Sequence, residues 1–306
     1  AMAYTTSPVH NLGTWMELAK KIEDAGADSI AIKDMAGLLK PYDAFDLVSN
    51  LKEKLSIPVH MQTHATTGMS TATNMKAIEA GIDNIDTSIS SMSMTYGPSA
   101  TETLAAIFQD EDVVIDLDTQ ALEEISIFFK KIRKKYSEYE GDMKGVDSTM
   151  LVKQVPGGML SNLESQLKAN KQEDKIELVK EEIPKVRKDF GYPPLVTPAS
   201  QIIGAQALLN VMGNVRYGNL SNESKNLILG KYGELPGEVN QELLSKISSL
   251  DQEIKEENSE DLVTMKEELK KLCTENDLDD LSDNMEMLLT YILFPNIALK
   301  FFKTLR

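Results

Sequence analysis

Two neighbouring stretches of the chain carry residue types that can bind a metal ion at the end of a β-strand. One apolar stretch ends in Lys33-Asp34, and the next, one helical stretch later, contains His60, Gln62 and His64. The last three recur at every second position, so on a strand their side chains share one face. Imidazole suits zinc and related divalent ions, which makes this face a candidate metal site. The alternatives are histidines that only pack and hydrogen-bond, a surface lysine at a strand terminus, and an aspartate that caps the next helix.

A second candidate is Thr197, which lies between Pro194 and Pro198. Proline fixes its own backbone and restricts the residue before it, so this threonine has a narrow range of conformations. Most threonines in such a place are turn residues, which is the simpler interpretation. Gly157-Gly158 is a weak indication of a phosphate loop, because no phosphate-binding lysine or dinucleotide pattern follows it.

Strand-like and helical segments alternate in the first third of the chain. This alternation predicts an α/β fold with a parallel sheet. In such folds the chemistry lies at the carboxyl ends of the strands, where Lys33, Gln62, His64 and the turn at 88–91 fall. The predicted strands are 29–33, 58–64 and 84–89, after a strand-like opening at 1–6, and the predicted helices are 11–25, 41–55, 70–80 and 99–108.

Beyond the sheet the pattern becomes helical, which predicts two regions, residues 1–116 and residues 117–306. We expect the glycine pair after Pro156 to break the chain before a helix, and Pro184 to start or kink a turn. The highly charged stretch 246–276 is either a solvated helical hairpin or a mobile linker. The predicted helices of this region are 121–140, 162–169, 173–190, 201–212 and 283–305.

Composition limits the classes of function. The chain has 306 residues, of which 42% are hydrophobic and 26% charged, an ordinary balance for a soluble globular protein. A net charge of −16 argues against a nucleic-acid partner, because a phosphate backbone needs a cationic face. No apolar run approaches the roughly 18 residues that cross a bilayer. The single cysteine, Cys273, excludes an internal disulfide framework and predicts a cytoplasmic location.

Five segments, in one consistent order along nearly the whole chain, resemble the carboxyltransferase subunits of biotin-dependent enzymes. That family includes the oxaloacetate decarboxylase alpha subunit, the pyruvate carboxylase B subunit and the transcarboxylase 5S subunit. Four of the segments are substantial motifs, which makes the resemblance specific. The segments are 27–39, 60–68, 154–163, 191–198 and the short 293–295.

The resemblance implies a fold and an activity. The fold is the C-terminal part of a TIM (β/α)8 barrel followed by a mainly α-helical domain that caps the active site. The activity is carboxyl transfer between carboxybiotin and a small 2-oxo acid such as pyruvate. Lys33 matches the family lysine that is carbamylated and becomes a metal ligand, Gln62 and His64 match the two histidine ligands, and Thr197 matches the threonine that shuttles a proton between biotin and the pyruvate methyl group.

The same resemblance implies cofactors and partners. The cofactors are a divalent metal ion (Zn, Mn or Co) and biotin, which is carried on a separate domain or subunit. The partners are pyruvate or oxaloacetate, a biotin carboxyl carrier domain and further copies of the chain in a homo-oligomer. In a decarboxylase they also include membrane-bound components, although the chain itself has no transmembrane segment.

Two features depart from the family pattern. Gln62 stands where the family has a histidine ligand, and an amide oxygen holds zinc less tightly than imidazole does. The family's first strands carry an aspartate ligand and a substrate-binding arginine and glutamine, which are not found in this sequence. We therefore expect an N-terminally truncated barrel, a cloning remnant at the first residue or two, and little activity from the fragment alone.

Three hypotheses follow. The leading one is the carboxyltransferase region of a biotin-dependent oxaloacetate decarboxylase, with the pyruvate carboxylase B subunit as the main alternative. The second is a non-catalytic assembly piece in which Gln62 marks a degenerate metal site. The third, an acyl-CoA-condensing synthase on the same barrel, is disfavoured by the segments at 154–163 and 191–198.

Overall fold

The structure, a computed structural model, describes residues 1–93, 96–109, 117–140, 145–148, 150–169, 171–213, 215–250 and 262–305. They divide into two compact units, Ala1–Leu244 and Ser245–Arg306. Among the described residues, no helix is both long enough and apolar enough to cross a membrane. The boundary between residues 116 and 117 stays a prediction.

Four parallel strands form the sheet of the first unit, in the spatial order β1-β2-β3-β4, which is also their order along the chain. A helix follows each of the first three strands, so the predicted α/β fold with a parallel sheet is confirmed. The strands are β1 Met2–Ala3, β2 Ile30–Asp34, β3 Val59–Thr63 and β4 Asn84–Ile85, and the crossover helices are α1 Leu12–Asp24, α2 Pro41–Lys54 and α3 Ser70–Glu79.

Local signals explain the bounds of these helices. Asn11 caps α1 by accepting a hydrogen bond from the Thr14 amide, and Pro41 begins α2 at a position where its missing N–H costs nothing. Gly26 and Gly81 adopt positive φ angles just after α1 and α3, the conformation that ends helices. These predicted helix ends lie within two residues of those in the structure.

The strand β4 ends at Ile85, earlier than predicted. Beyond it Ser88 pairs with Ala100, and residues Ser90–Met92 form a 3-10 helix. The regular hydrogen bonding of the sheet therefore ends at Ile85, although the alternation that predicts a strand continues to residue 89.

The remaining helices of the first unit follow the sheet along the chain, and among them α9 (Ala199–Met212) packs against α7 (Gly157–Ala169), α8 (Ile176–Asp189) and α10 (Asn222–Ile228). The helix α7 begins at Gly157, five residues before its predicted start, because Pro156 can precede a helix without loss of a hydrogen bond. The helix α8 contains Pro184 without ending there. These helices are α4 Thr101–Ile107, α5 Thr119–Lys135, α6 Met150–Lys153, α7 Gly157–Ala169, α8 Ile176–Asp189, α9 Ala199–Met212, α10 Asn222–Ile228 and α11 Gln241–Leu250, the last of which crosses into the second unit.

The second unit is helical. Its core is formed by one face of α12 (Leu262–Glu275) and by the last two helices, with Leu269, Cys273 and Phe302 fully buried. The sequence predicts one long final helix, but Pro295 divides it, since proline lacks the N–H that would continue the first helix. The bounds are α12 Leu262–Glu275, α13 Met285–Leu293 and α14 Pro295–Phe302; residues 251–261 of the predicted hairpin or linker lie outside the described residues.

Candidate active site

The sheet brings Lys33 and Gln62 side by side. They are direct partners across β2 and β3, and both are half-buried on the same face. The opposite face of the same strands is occupied by fully buried residues such as Ile32 and Met61, which belong to the apolar core. Neighbouring strands lie about 4.8 Å apart, so the lysine and the amide share one small region of surface.

His64 follows directly after β3, and its position is fixed twice. Its backbone amide donates to the Asp34 carbonyl at 3.0 Å, and its ring Nδ1 is hydrogen-bonded to the Tyr96 carbonyl. A carbonyl can only accept, so Nδ1 carries the proton and Nε2 presents a lone pair. Burial lowers the pKa of His64, with a further contribution from the positive charge of Lys33. The imidazole is thus held neutral, in the form that binds metals, near Lys33.

Gln62 has a partner on the segment that follows β4. Its amide nitrogen donates to the Asp86 carboxylate at 3.5 Å, and the Asp86 backbone amide donates to the Met61 carbonyl at 2.9 Å. Because the nitrogen is committed to Asp86, the amide oxygen of Gln62 is the atom available to a ligand. This arrangement resembles the outer partners that orient metal ligands.

Asp34 lies on the opposite side of the strand end from Lys33 and is completely buried. Its carboxylate accepts from the amides of Leu38 and Leu39 and from the Thr63 hydroxyl, each at 2.9 Å. Burial raises the pKa of Asp34, against the opposing effect of these three donors. The alternative prediction that Asp34 caps the following helix is wrong, because the residue at the N-cap of α2 is Lys40. Asp34 instead holds the turn between β2 and α2 through the amides of Leu38 and Leu39.

Gly37 allows that turn to approach the end of β3. A Cβ atom at this position would lie 2.5 Å from the His64 carbonyl oxygen, and the φ angle is +67°. Its own carbonyl accepts a hydrogen bond from the Thr67 hydroxyl at 2.5 Å. Only glycine satisfies both the space and the angle, so Gly37 fixes the backbone beneath His64.

His60, the third residue of the alternating set, lies apart from the others. It pairs with Ala31 and Asn84, two residues along the strand from Gln62, and its side chain lies on the same face as the Lys33–Gln62 pair. Two residues along a strand span about 6–7 Å. His60 is therefore a neighbour of the candidate ligands.

The loop that precedes Thr197 lies beside Lys33. Residues Pro194, Leu195 and Val196 line the same small recess as Lys33, together with Gln154. Thr197 comes next in the chain, is exposed, and is joined to Pro198 by a cis peptide bond just before α9. The residues that precede Thr197 thus share a recess with Lys33, although the two segments are far apart in the sequence.

Arg187 of α8 ties this loop to the strand end of β1. It is buried, with 5% of its surface exposed. Its Nε donates to the Pro193 carbonyl at 3.0 Å, and its Nη2 donates to the Thr5 hydroxyl at 2.7 Å and to the Thr6 carbonyl at 3.2 Å. Its Nη1 donates to the amide oxygen of Gln154, so three separate segments converge on one guanidinium.

Sequence reasoning did not single out Arg187 or Asp86. Arg187 lies in a charged stretch, and the available signal was its spacing from Ile183 and Phe190, which places it on the apolar face of α8. Asp86 had no signal of its own beyond its place near a strand end. Among the described residues no group of three or more His, Cys, Asp and Glu side chains could hold a metal ion.

A parallel sheet with polar residues at the strand ends, followed by packed helices, defines an α/β protein with a candidate site at the carboxyl ends of its strands. Two family models match the chain. Residues 4–128 match a model described as HMGL-like, and residues 150–306 match the conserved carboxylase domain. The chain belongs to the family of biotin-dependent carboxylases and carboxyltransferases.

Curated relatives agree with this assignment. The chain is 48% identical over 231 residues to the pyruvate carboxylase B subunit of Methanocaldococcus jannaschii, an alignment that covers 75% of the chain and 41% of that protein. It is 45% identical over 231 residues to the methylmalonyl-CoA carboxyltransferase 5S subunit of Propionibacterium freudenreichii subsp. shermanii, which covers 75% of the chain and 45% of that protein. The chain therefore spans less than half the length of these relatives.

Solved structures give the same result for the fold. The carboxyl transferase domain of Rhizobium etli pyruvate carboxylase, solved with pyruvate, superposes with a TM-score of 0.84 at 26% identity, over 98% of this chain and 53% of that one. The same domain solved with pyruvate and biocytin has a TM-score of 0.83 at 26% identity, over 98% of this chain and 53% of the other. The predicted combination of TIM-barrel strands and a helical carboxyltransferase region is confirmed.

Proposed function

We propose that this chain is the carboxyltransferase region of an enzyme that moves a carboxyl group between biotin and a 2-oxo acid, interconverting pyruvate and oxaloacetate. One observation carries the proposal. Lys33, Gln62 and His64 lie together at adjacent strand ends, beside the loop that leads into Thr197. The structure of a similar domain with pyruvate and biocytin supports the choice of substrate and cofactor.

The donor set at the strand ends fits a divalent metal ion. His64 offers a neutral Nε2, Gln62 offers an amide oxygen, and Lys33 becomes an oxygen ligand once its amine is carbamylated by carbon dioxide. Two oxygens and one nitrogen form a harder set than the usual pair of histidines, and they favour Mn²⁺ over Zn²⁺. A bound ion supplies a positive charge near the 2-oxo group, which stabilises the enolate of pyruvate.

In this proposal Thr197 moves the proton. Its hydroxyl receives a proton from the pyruvate methyl group and gives its own proton to the biotin nitrogen. The C–N bond of carboxybiotin breaks, and the new C–C bond forms at the former methyl carbon, so that atoms and charge balance. The exposure of Thr197 beside the Lys33 recess leaves it accessible to both reactants.

The direction of the reaction in the cell is a second part of the proposal. Our sequence interpretation favours an oxaloacetate decarboxylase, and the similarity to the pyruvate carboxylase B subunit favours the carboxylating direction. Both use the same transfer, with biotin on a separate carrier domain. We also propose a cytoplasmic location, a homo-oligomer, and membrane-bound partners in the decarboxylating case.

The proposal is tested by the transfer half-reaction, in which carboxyl-labelled oxaloacetate donates its label to free biotin. The full-length protein is compared with Thr197→Ala and with the matched variant Thr197→Ser, which keeps a hydroxyl. Loss of the proton-transferring group lowers kcat by about 10²–10⁴-fold, whereas the serine variant stays within about tenfold. Transfer by the alanine variant at the rate of the unchanged protein would contradict the assignment of Thr197.

The second candidate function, a non-catalytic assembly piece, is suggested by Gln62. Elemental analysis of the purified protein separates the two. About one divalent ion per chain supports the catalytic site, and the absence of bound metal after incubation with Mn²⁺, Zn²⁺ or Co²⁺ and bicarbonate supports the assembly piece.

A further inference from the structure

Arg187 is a buried cation whose hydrogen-bond acceptors are all neutral. A guanidinium has five N–H donors, and four bonds are made, to two carbonyl oxygens, one hydroxyl and one amide oxygen. Among the described residues no ion pair of Arg187 with a carboxylate is found, and no carboxylate contributes to the shift of its pKa. Arginine side chains are almost never fully buried unless they are paired, so this arrangement calls for an explanation.

The positive charge of Arg187 affects the pKa of a neighbouring histidine. Burial lowers the pKa of Arg187 to about 10, and the positive charge of Arg187 adds to the effect of burial in lowering the pKa of His10 to about 4. By contrast, Arg216, the other arginine near the end of α8, is neutralised by Glu182 and Asp189 at 2.5 and 2.7 Å. Of these two arginines, Arg216 is paired with carboxylates, whereas the partners of Arg187 among the described residues are neutral acceptors.

The partners of Arg187 surround the recess that contains Lys33. Thr5 and Gln154 line that recess, and Pro193 begins the loop whose next residues line it as well. Gln154 also donates to the Thr6 hydroxyl at 2.6 Å, which closes the network. The guanidinium thus holds two residues that line the recess, Thr5 and Gln154, and the first residue of the loop that lines it further along.

We propose that Arg187 is a positioning residue with two effects. It fixes the loop 193–198 against the strand end that carries Lys33, and it supplies a fixed positive charge that favours a small carboxylate ligand beside Lys33. The nearly saturated guanidinium leaves little capacity for direct contact with a ligand. Its action on the ligand therefore runs through the loop and through the electrostatic field.

Two substitutions separate the effects. Arg187→Lys keeps the charge but loses the planar fork that joins three segments. Gln154→Glu keeps an acceptor for the guanidinium and places a carboxylate beside it, so that the charge is neutralised while the loop stays attached. Lys188→Met is the matched control, because it removes a positive charge from an exposed neighbouring position on the same helix.

The loop effect is measured by hydrogen–deuterium exchange of the peptide that contains 193–198, in the full-length protein. Exchange in Arg187→Lys rises on the order of tenfold, as expected when local opening becomes easier, and it stays within about twofold in Gln154→Glu and Lys188→Met. Unchanged exchange in Arg187→Lys, with the variant folded by circular dichroism, would overturn the positioning role. This measurement does not depend on the proposed function.

The charge effect rests on the proposed function, and its probe is the dissociation constant of pyruvate measured by calorimetry. Gln154→Glu raises this constant on the order of tenfold, the effect of removing one fixed charge several ångströms away. Arg187→Lys and Lys188→Met stay within about threefold. Equal affinity in Gln154→Glu and the unchanged protein would overturn the charge role. Failure of the unchanged protein to bind pyruvate would instead count against the proposed function, and against the charge role that depends on it.

Discussion

The two sides of the β2 and β3 strand ends are built in opposite ways. On the buried side, Asp34 and Thr63 are fully enclosed, and the carboxylate takes three hydrogen bonds. On the other side, Lys33 and Gln62 are half-exposed, and the one bond recorded for the amide is a long one of 3.5 Å to Asp86. Because the side chains of a strand alternate between its two faces, the buried Asp34 and Thr63 directly follow the half-exposed Lys33 and Gln62 in the sequence.

The difference shows how a parallel sheet can hold a reactive site with precision. On the buried side the polar groups bond to the protein's own backbone, and this fixes the turn after β2 and the start of the chain after β3. On the open side, the side chains of Lys33 and Gln62 together make one long hydrogen bond among the described residues, to Asp86, so they remain available for a ligand. Substitutions on the two sides should therefore have different consequences, one for catalysis and the other for stability.

The largest effect is expected on the open side, at Lys33. Lys33→Arg keeps the charge but cannot form a stable carbamate, and we expect the transfer rate to fall about a hundredfold to a thousandfold, as when one stabilising group is removed from an active site. The free energy of unfolding should change by less than about 0.5 kcal/mol, since the side chain is half-exposed. Label transfer to biotin and urea denaturation test the two parts. A large loss of stability would remove the distinction between the sides.

On the buried side, Asp34→Ala should act mainly on stability. It leaves the buried amides of Leu38 and Leu39 without an acceptor, and we expect the free energy of unfolding to fall by about 3 kcal/mol. Asp43→Ala is the control, because Asp43 is exposed in the first turn of α2 and its loss should cost less than about 1 kcal/mol. Similar denaturation midpoints for the two variants would show that the hydrogen bonds of Asp34 do not stabilise the fold.

The smallest effect concerns which ion the open side selects. Gln62→His restores a nitrogen donor and should raise the affinity for Zn²⁺ relative to Mn²⁺ by roughly tenfold to a hundredfold. The protein is equilibrated with equal concentrations of both ions and bicarbonate, desalted and subjected to elemental analysis. Gln62→Asn, which keeps an amide on a shorter side chain, is the control and should not shift the ratio toward zinc. An unchanged ratio in Gln62→His would mean that position 62 does not contact the metal.

Much of this arrangement is predictable from local sequence. Asn11, Pro41 and the glycines after α1 and α3 mark helix ends by their own chemistry, so the predicted bounds of these helices are close to those in the structure. The proximity of Lys33 to Gln62 follows from the rule that the carboxyl ends of parallel strands share one edge. The family resemblance also indicates the roles of these residues, which stay predictions.

Other features depend on contacts that local sequence does not encode. Arg187 bonds to Thr5, a residue 182 positions earlier in the chain. The role of Asp34 depends on a turn whose closure requires Gly37 to approach the next strand. The early end of β4 is decided by the pairing of Ser88 with Ala100, and no pattern within 84–89 indicates it.

Gly37 has a consequence for how this site can change. A side chain at position 37 would collide with the His64 carbonyl, so any residue other than glycine there would displace the backbone that carries this imidazole. Position 62 lies under no such constraint, since its neighbour beyond the third strand is the exposed side chain of Asp86. An engineer who wishes to retune the metal preference should therefore vary position 62 and leave position 64 and its glycine support intact.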